Sequence, residues 1–242
     1  MKGIILSGGT GSRLNPLTLV TNKHLLPIYD KPMIFYPIEM LKEAGITDIM
    51  IVTGTHHAGA IFQLLGSGSK YGVKFTYRVQ DEAGGIPQAI GLAKEFVGED
   101  KFVSVNGDNI LFESIKTIVQ EFKDGQEKAR ILLYEGTREE AQGSGVAVLE
   151  GDNVTKIVEK PKEPPTNWIS IGVLMFTSDV FNIIETLKPS ARGELEISEV
   201  QNHYIQQGTL KASKLQDKWL DAGTIEDLLH CNKIVQERAQ KK

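Results

Sequence analysis

The sequence holds a single cysteine, Cys231, in 242 residues. That excludes an internal disulfide and any cysteine-based zinc site. No stretch approaches 18 consecutive apolar residues, so no transmembrane helix is expected. The opening run Met1-Lys2-Gly3-Ile4-Ile5-Leu6 is too short for a secretory segment, and glycines interrupt it at once. A reduced, cytoplasmic setting is the expectation. Charge of one sign is lacking as well: 27 Lys and Arg stand against 31 Asp and Glu, a net charge of -4. This balance argues against nucleic-acid and membrane-surface partners, although a few local lysines suffice for a small anionic ligand. The five histidines show no HExxH metal spacing, and no G-x-S-x-G nucleophile elbow occurs.

What is present is ordinary globular composition, 40% hydrophobic and 24% charged. The length allows one large domain or two small ones. A chain of this size buries roughly 70% of its unfolded surface, so it needs no covalent staple. Up to about residue 125 short apolar runs alternate with amphipathic ones. Strands are expected at Gly3–Leu6, Asp48–Thr53, Val73–Val79 and Lys101–Val105. Helices are expected at 33–44, 58–65, 87–97 and 113–123. Strands alternating with helices imply βαβ units and a mostly parallel sheet covered on both faces. Beyond about residue 130 the expected strands 130–134, 145–149, 154–158 and 169–176 follow with little helix between them. Gly151-Asp152-Asn153 reads as a hairpin turn. Helices return at 178–187 and 197–207, and a last one runs from Thr224 to about Arg238 with Thr224 and Asp227 suited to capping. The tail Gln240-Lys241-Lys242 is expected to fray.

Chemistry concentrates first in Leu6-Ser7-Gly8-Gly9-Thr10-Gly11-Ser12-Arg13-Leu14. A strand ending in three glycines lets backbone N–H groups approach phosphate oxygens. The dinucleotide fingerprint fails because Leu14 stands where it needs glycine, and Walker A fails at Ser12-Arg13-Leu14. A plain strand-to-helix turn would also use these glycines. Lys23, in Asn22-Lys23-His24-Leu25-Leu26-Pro27, is a lysine in an otherwise apolar segment and can act as a phosphate-binding point charge. Asp108, in Asn106-Gly107-Asp108-Asn109, follows a strand expected at the centre of the sheet. That is the crevice where open α/β sheets bind ligands, and hard carboxylate oxygens there suit Mg²⁺. An Asx turn is the plainer use of that aspartate. Asp221 precedes the last helix and, alone, reads as a cap or turn residue. Glu159-Lys160-Pro161 ends a strand with an ion pair, and Arg192 stands before a helix start. His56-His57 reads as a loop pair, and Cys231 as packing on a helix face.

Taken in order, seven segments resemble the sugar-phosphate nucleotidylyltransferases: GIILSGGTGSRL, NKHLLPIYDKPMIFYPIEML, RVQDEAGGIPQAI, NGDNI, VEKPKEPP, LKPSARGELEI and WLDAGT. The resemblance spans Gly3 to about the last helix. It implies an α/β, Rossmann-like nucleotidyltransferase fold in one domain over 1–242. The nucleotide-binding part would span about 1–125, a small β-rich sugar-binding part about 126–223, and a C-terminal helix about 224–240. The implied reaction is transfer of a nucleotidyl group from dTTP to glucose 1-phosphate, with Mg²⁺ as cofactor and dTDP-glucose and pyrophosphate as products. A homo-oligomer is implied too. By matching position, Leu6, Gly8, Gly9, Gly11, Arg13 and Lys23 would hold the nucleotide, and Gln80 and Gly85 would read the pyrimidine. Arg13, Lys23 and Asp108 would be catalytic, with Asp108 and Asp221 holding the metal. Asn109, Gly145, Glu159, Lys160, Val173 and Arg192 would line the sugar-phosphate site.

Three departures stand out. Ser144 replaces a frequent aromatic residue, and Trp168-Ile169-Ser170-Ile171-Gly172-Val173 stands where a Tyr-Ala-Val-Thr-Gly-like run is typical. Both fall near the expected sugar pocket and point to the sugar as what differs. The sequence also resembles the short form of the family, without the helical extension that builds a regulatory nucleotide site. Two other readings stay open: a relative using UTP, CTP or another sugar 1-phosphate, and a non-catalytic sugar-nucleotide sensor. A dinucleotide-dependent dehydrogenase conflicts with Leu14.

Overall fold

A computed structural model describes residues 1–241; Lys242, the last of the expected frayed tail, lies outside them. The chain begins with β1 (Lys2–Ser7), a small ribbon of β2 (Pro27–Ile28) and β3 (Lys31–Pro32), α1 (Phe35–Glu43), β4 (Asp48–Gly54) and α2 (Ala58–Leu65). It continues through β5 (Lys74–Gln80), α3 (Ile86–Gly91), α4 (Lys94–Val97), β6 (Phe102–Asn106), β7 (Asn109–Leu111) and α5 (Lys116–Asp124). Then come β8 (Ala129–Glu135), α6 (Arg138–Gln142), β9 (Gly145–Glu150), β10 (Asn153–Glu159) and β11 (Trp168–Phe176). The chain closes with α7 (Val180–Thr186), α8 (Ile197–Gln206), β12 (Leu210–Lys214), β13 (Trp219–Asp221) and α9 (Ile225–Ala239).

The strands β6, β1, β4 and β5 lie side by side and parallel; the inner strands β1 and β4 carry near-continuous apolar runs, and β5, at the edge, alternates. Their side chains alternate between two cores. Ile5, Ile49, Ile51, Val103 and Val105 pack on one face with Ile38 and Leu41 of α1, Ile61 of α2 and Phe122 of α5. Ile4, Leu6, Met50, Val52 and Phe102 pack on the other with Ile90 of α3, Val180 of α7 and Tyr204 of α8. The long strand β11 then joins antiparallel to β6. It carries a register shift between Ser170 and Leu174 and also pairs with β8 and β9, while β10 extends β9. One nine-stranded sheet thus runs through both halves of the chain. A third core sets Leu228, Cys231 and Val235 of α9 against Leu14, Ile28, Ile110 and Leu220.

The expected α/β class, with parallel strands covered on both faces and antiparallel strands added, is borne out. One expected element differs. The helix over 87–97 is two, α3 and α4, because Ala93 N–H bonds Ile90 O at 2.9 Å and tightens the chain just after Gly91, a weak helix former. Three short strands, β7, β12 and β13, carried no periodic signal. At the tail, Gln240 N–H still bonds Gln236 O at 3.1 Å, so helical bonding reaches that residue.

Candidate active site

The C-terminal ends of β1, β5 and β6 open on a cleft made of two adjoining cavities. The first is lined by Leu6, Gly8, Gly9, Lys23, His24, Gln80, Gly85 and Asp108. The second is lined by Arg13, Asp108, Asn109, Gly145, Glu159, Lys160, Ser170, Gln201 and Asp221, among others. Ile86, Asn106 and Asp108 belong to both. Residues from nine separate stretches of the sequence therefore meet in one groove.

In the first cavity Gly8 and Gly85 have a packing reason. A Cβ on Gly8 would stand 2.3 Å from Gln80 Oε1. A Cβ on Gly85, whose φ is 96°, would stand 2.2 Å from Leu195 O. Gly9 borders Lys23, whose Nζ would lie 3.8 Å from an added Cβ. Gly11 sits behind the cavity rather than in its wall. At φ 66° it starts a tight turn, and its carbonyl accepts from Leu14 N at 2.8 Å and Thr18 Oγ1 at 2.9 Å. Leu6 ends its strand buried, with its carbonyl accepting from Gly107 N at 2.8 Å. Gln80 is held by Gln88, whose Oε1 accepts from Gln80 Nε2 at 2.7 Å and from Gly84 N at 3.0 Å. Sequence reasoning missed Gln88; its place one turn into a helix was the only hint.

Lys23 and Asp108 form an ion pair at the junction, with side chains only 13% and 11% exposed. Burial pulls the Lys23 ammonium down, but the Asp108 carboxylate outweighs it and raises Lys23 overall. Against the upward push of burial, Lys23 holds Asp108 below the usual carboxylate range. His24, also missed, is fully buried beside them, and its Nδ1 lies 2.8 Å from Asn22 Oδ1. Burial and the Lys23 charge push its imidazole down to about 3, so it is neutral at physiological pH.

Asp221 lies directly opposite Asn109 in the β7–β13 ribbon, and Ala222 N–H reaches Asp108 O at 3.4 Å. Its side chain is open to cleft water on one side and crowded by protein on the others. That crowding and the Asp108 charge push its carboxyl up, against the pull of Lys23 and Arg13. Arg13 is exposed and lies over Gly223, where a Cβ would stand 3.0 Å from Nη2. Among the described residues no three His, Cys, Asp or Glu side chains gather as a metal set. Asp108 and Asp221 still repel, as the raised Asp221 carboxyl shows, and the pair fits a hard cation that takes its remaining ligands from phosphate and water.

Asn109 brackets this region. Its Oδ1 accepts from Trp219 Nε1 at 2.9 Å and Gly172 N at 3.1 Å, and its Nδ2 donates to Asp108 Oδ1 at 3.2 Å. Three of the four hydrogen bonds its amide can make go to protein groups, so Asn109 ties three strands together and keeps one Nδ2 hydrogen for the cavity it lines. In the second cavity Gly145 pairs with Glu159 across β9–β10, and Lys160 N–H bonds Ser144 O at 3.0 Å. Lys160 adopts φ 41°, a left-handed conformation that costs a non-glycine residue energy and clusters at functional sites. Arg192 does not line either cavity; it is tied to Glu196 through two hydrogen bonds and, at 3.4 Å, to Glu159, which does line the second. Val173 is not brought into the cleft as a side chain. It is fully buried in the core opposite Val105, and Gly172 lines the cavity in its place. His56 and His57 lie in a loop, and Cys231 is buried with its thiol pushed up to about 12 by burial.

The Nucleotidyl transferase family model matches residues 2–238. The chain belongs to this family. It is a nucleotidyltransferase, with the fold of that enzyme class. It is 45% identical over 239 residues to a low-salt glycan biosynthesis nucleotidyltransferase of Haloferax volcanii, covering 98% of this chain and 66% of that relative. It is 38% identical to a glucose-1-phosphate thymidylyltransferase of Neisseria meningitidis, covering 98% of this chain and 83% of the relative. A Mycobacterium tuberculosis protein of the same name is 40% identical, with 99% and 84% covered. A Bacillus anthracis structure described as a glucose-1-phosphate thymidylyltransferase, in complex with a sucrose, superposes with a TM-score of 0.92 at 48% identity. That match covers 97% of this chain and 94% of the other. Among the described residues no helix is long and apolar enough to cross a membrane.

Proposed function

We propose that this nucleotidyltransferase transfers a thymidylyl group from dTTP to glucose 1-phosphate, giving dTDP-glucose and pyrophosphate. The observation that carries the reading is the two-cavity cleft with Asp108 at the junction. A two-substrate transfer needs its reacting atoms to meet at one place, and both cavities open there. The names of the thymidylyltransferase relatives supply the substrates.

In this reading the nucleotide-binding part is about 1–125 and the sugar-binding part about 126–223. Gln80, held by Gln88, and the backbone of Gly85 pair with the pyrimidine edge. Gly8 and Gly9 bring backbone N–H groups to the triphosphate. Lys23 and Arg13 neutralise phosphate charge, and Lys160 with Glu159 holds the sugar phosphate. A phosphate oxygen of glucose 1-phosphate forms a bond to the α-phosphorus, the α–β bridging bond breaks, and its electron pair leaves with pyrophosphate. No enzyme nucleophile is needed; positioning and charge neutralisation carry the catalysis. Asp108 and Asp221 hold Mg²⁺, which when bound supplies further neutralisation of the triphosphate. Arg192 acts at one remove, by fixing Glu159 and Glu196.

Pyrophosphate release on a panel of nucleotides and sugar 1-phosphates with Mg²⁺ tests the reading. Because a purine edge would leave buried polar groups unpaired, at about 1–3 kcal/mol each, dTTP and UTP should far exceed ATP and GTP. Thymine and uracil differ by one methyl, which separates the two bases by only about 1–3 kcal/mol, and UTP differs from dTTP further by its 2′-hydroxyl. ATP or GTP matching dTTP in kcat/KM would refute the base assignment. Absence of pyrophosphate release with every pair would leave a sugar-nucleotide sensor.

A further inference from the structure

The wall of the second cavity carries a polar pair that the proposed chemistry does not use. Ser170 of β11 lies opposite Gly145 in the β9 ladder, so no neighbouring side chain covers its hydroxyl from that strand. Gln201 of α8 is 1% exposed, and its Nε2 donates to Ser170 Oγ at 2.8 Å. Both residues line the cavity. Among the described residues, neither the Ser170 hydroxyl hydrogen nor Gln201 Oε1 meets another protein group. Gln201 Oε1 is not one of the fully enclosed orphaned oxygens either; those are Asp48 Oδ1, Ser104 Oγ and Glu127 Oε2. The pair therefore presents one free donor and one free acceptor side by side, facing the cavity.

Gln201 is also held in place. Its neighbour Asn202 clamps the backbone of β10, accepting from Ile157 N and donating to Ile157 O, both at 2.8 Å. The helix is thus anchored and Ser170 holds the amide, so the free Gln201 oxygen is left to whatever fills the cavity, water or ligand.

We propose that Ser170 and Gln201 read one hydroxyl of the sugar 1-phosphate and set which sugar is accepted. The inference rests on the reading that this cavity holds the sugar phosphate. A hydroxyl is the group that both accepts from the serine and donates to the amide oxygen. An analogue lacking it leaves both protein groups unpaired, and a site built around a hydroxyl rejects the deoxy compound strongly.

The test measures kcat/KM for glucose 1-phosphate and for its 2-, 3-, 4- and 6-deoxy analogues with saturating dTTP. The wild-type protein should lose at least about tenfold on one analogue and less on the others. In Ser170→Ala and in Gln201→Met that one penalty should shrink to within about threefold, while Ser170→Thr, which keeps the hydroxyl, retains it. A purely packing role would instead lower kcat/KM for all sugars alike and leave their ratios unchanged; that result overturns the proposal. So does a wild-type profile in which no analogue is singled out. Circular dichroism separates either outcome from unfolding, and Ser170→Ala decides alone if Gln201→Met does not fold. Wild-type protein that turns over none of the five sugars refutes the functional reading itself and this inference with it.

Discussion

At the scale of single residues, the junction of the two cavities is where one atom changes most. Asp108→Asn should cut Mg²⁺-dependent pyrophosphate release at least about 100-fold, since a charged ligand and the Lys23 counter-ion are lost together. The Asn oxygen still accepts from Lys23, so stability should fall by less than the about 3–5 kcal/mol of a broken buried pair. Near-normal turnover with a native circular dichroism spectrum would sink the metal and charge roles given to Asp108. Lys160→Ala should raise KM for the sugar phosphate far more than for the nucleotide, and equal effects would mean the halves are wrongly divided. Lys160→Gly should share that KM defect yet melt no lower than the alanine variant, because glycine relieves the left-handed backbone. Arg13, Lys23, Asp108 and Lys160 each have a plainer use alone and stood out in the sequence only through the segments that resemble the family; the structure brings them to one cleft. His24, Gln88 and Gln201 did not stand out. Each earns its place through a partner far off in the fold or through burial, and neither is written in its neighbours. Val173 shows the opposite error: alternation along β11 and the register shift at Ser170 to Leu174 decide which side chains face the cleft, and a motif does not report register.

At the scale of elements, α9 holds Asp221 in place from behind. Its start is a capping box, with Thr224 Oγ1 accepting from Asp227 N at 3.1 Å and Asp227 Oδ2 accepting from Thr224 N at 3.0 Å. Thr224→Ala should cost about 1 kcal/mol. That lowers the melting temperature by roughly 2–4 °C at this chain length, as calorimetry would read. Farther along, Arg238 grips Asp217 through two hydrogen bonds and ties the end of α9 to the approach of β13. The Arg238 guanidinium holds the Asp217 carboxyl down to about 2. A depressed carboxyl contributes stability that is complete above its unfolded range near 4 and is lost as pH falls toward 2. Asp217→Asn should therefore lower stability at neutral pH and flatten the acid limb of the melting curve. An unchanged slope below about pH 4 in that variant would show that the pair contributes nothing. The cap was plain in the sequence because Thr224 and Asp227 stand three apart before an apolar stripe. The strands β7, β12 and β13 were not, since three to five residues with mixed polarity give alternation no room to register.

At the scale of the whole molecule, the base-side loop and the sugar-side segment are joined. Leu195 N–H bonds Gly84 O at 2.9 Å, and Gly85 fits against Leu195 O only because it has no Cβ. The same segment carries Arg192 and Glu196. Gly85→Ala should therefore raise KM for both substrates, unlike Lys160→Ala, and a defect confined to the nucleotide would show that the joint transmits nothing. The α/β class was legible from alternation and apolar runs alone, but the way β11 serves three neighbours was not, since pairing between residues far apart in the chain, such as Val173 with Val105, leaves no local trace. That sharing has a mechanical consequence. A hinge needs a line that few bonds cross, and here one strand rivets the parallel half to the antiparallel half along its length. The sheet is then the fixed jaw of the tool. Structures with and without substrates should superpose strand for strand, and any closing stroke falls to segments outside the sheet, such as residues 8–22.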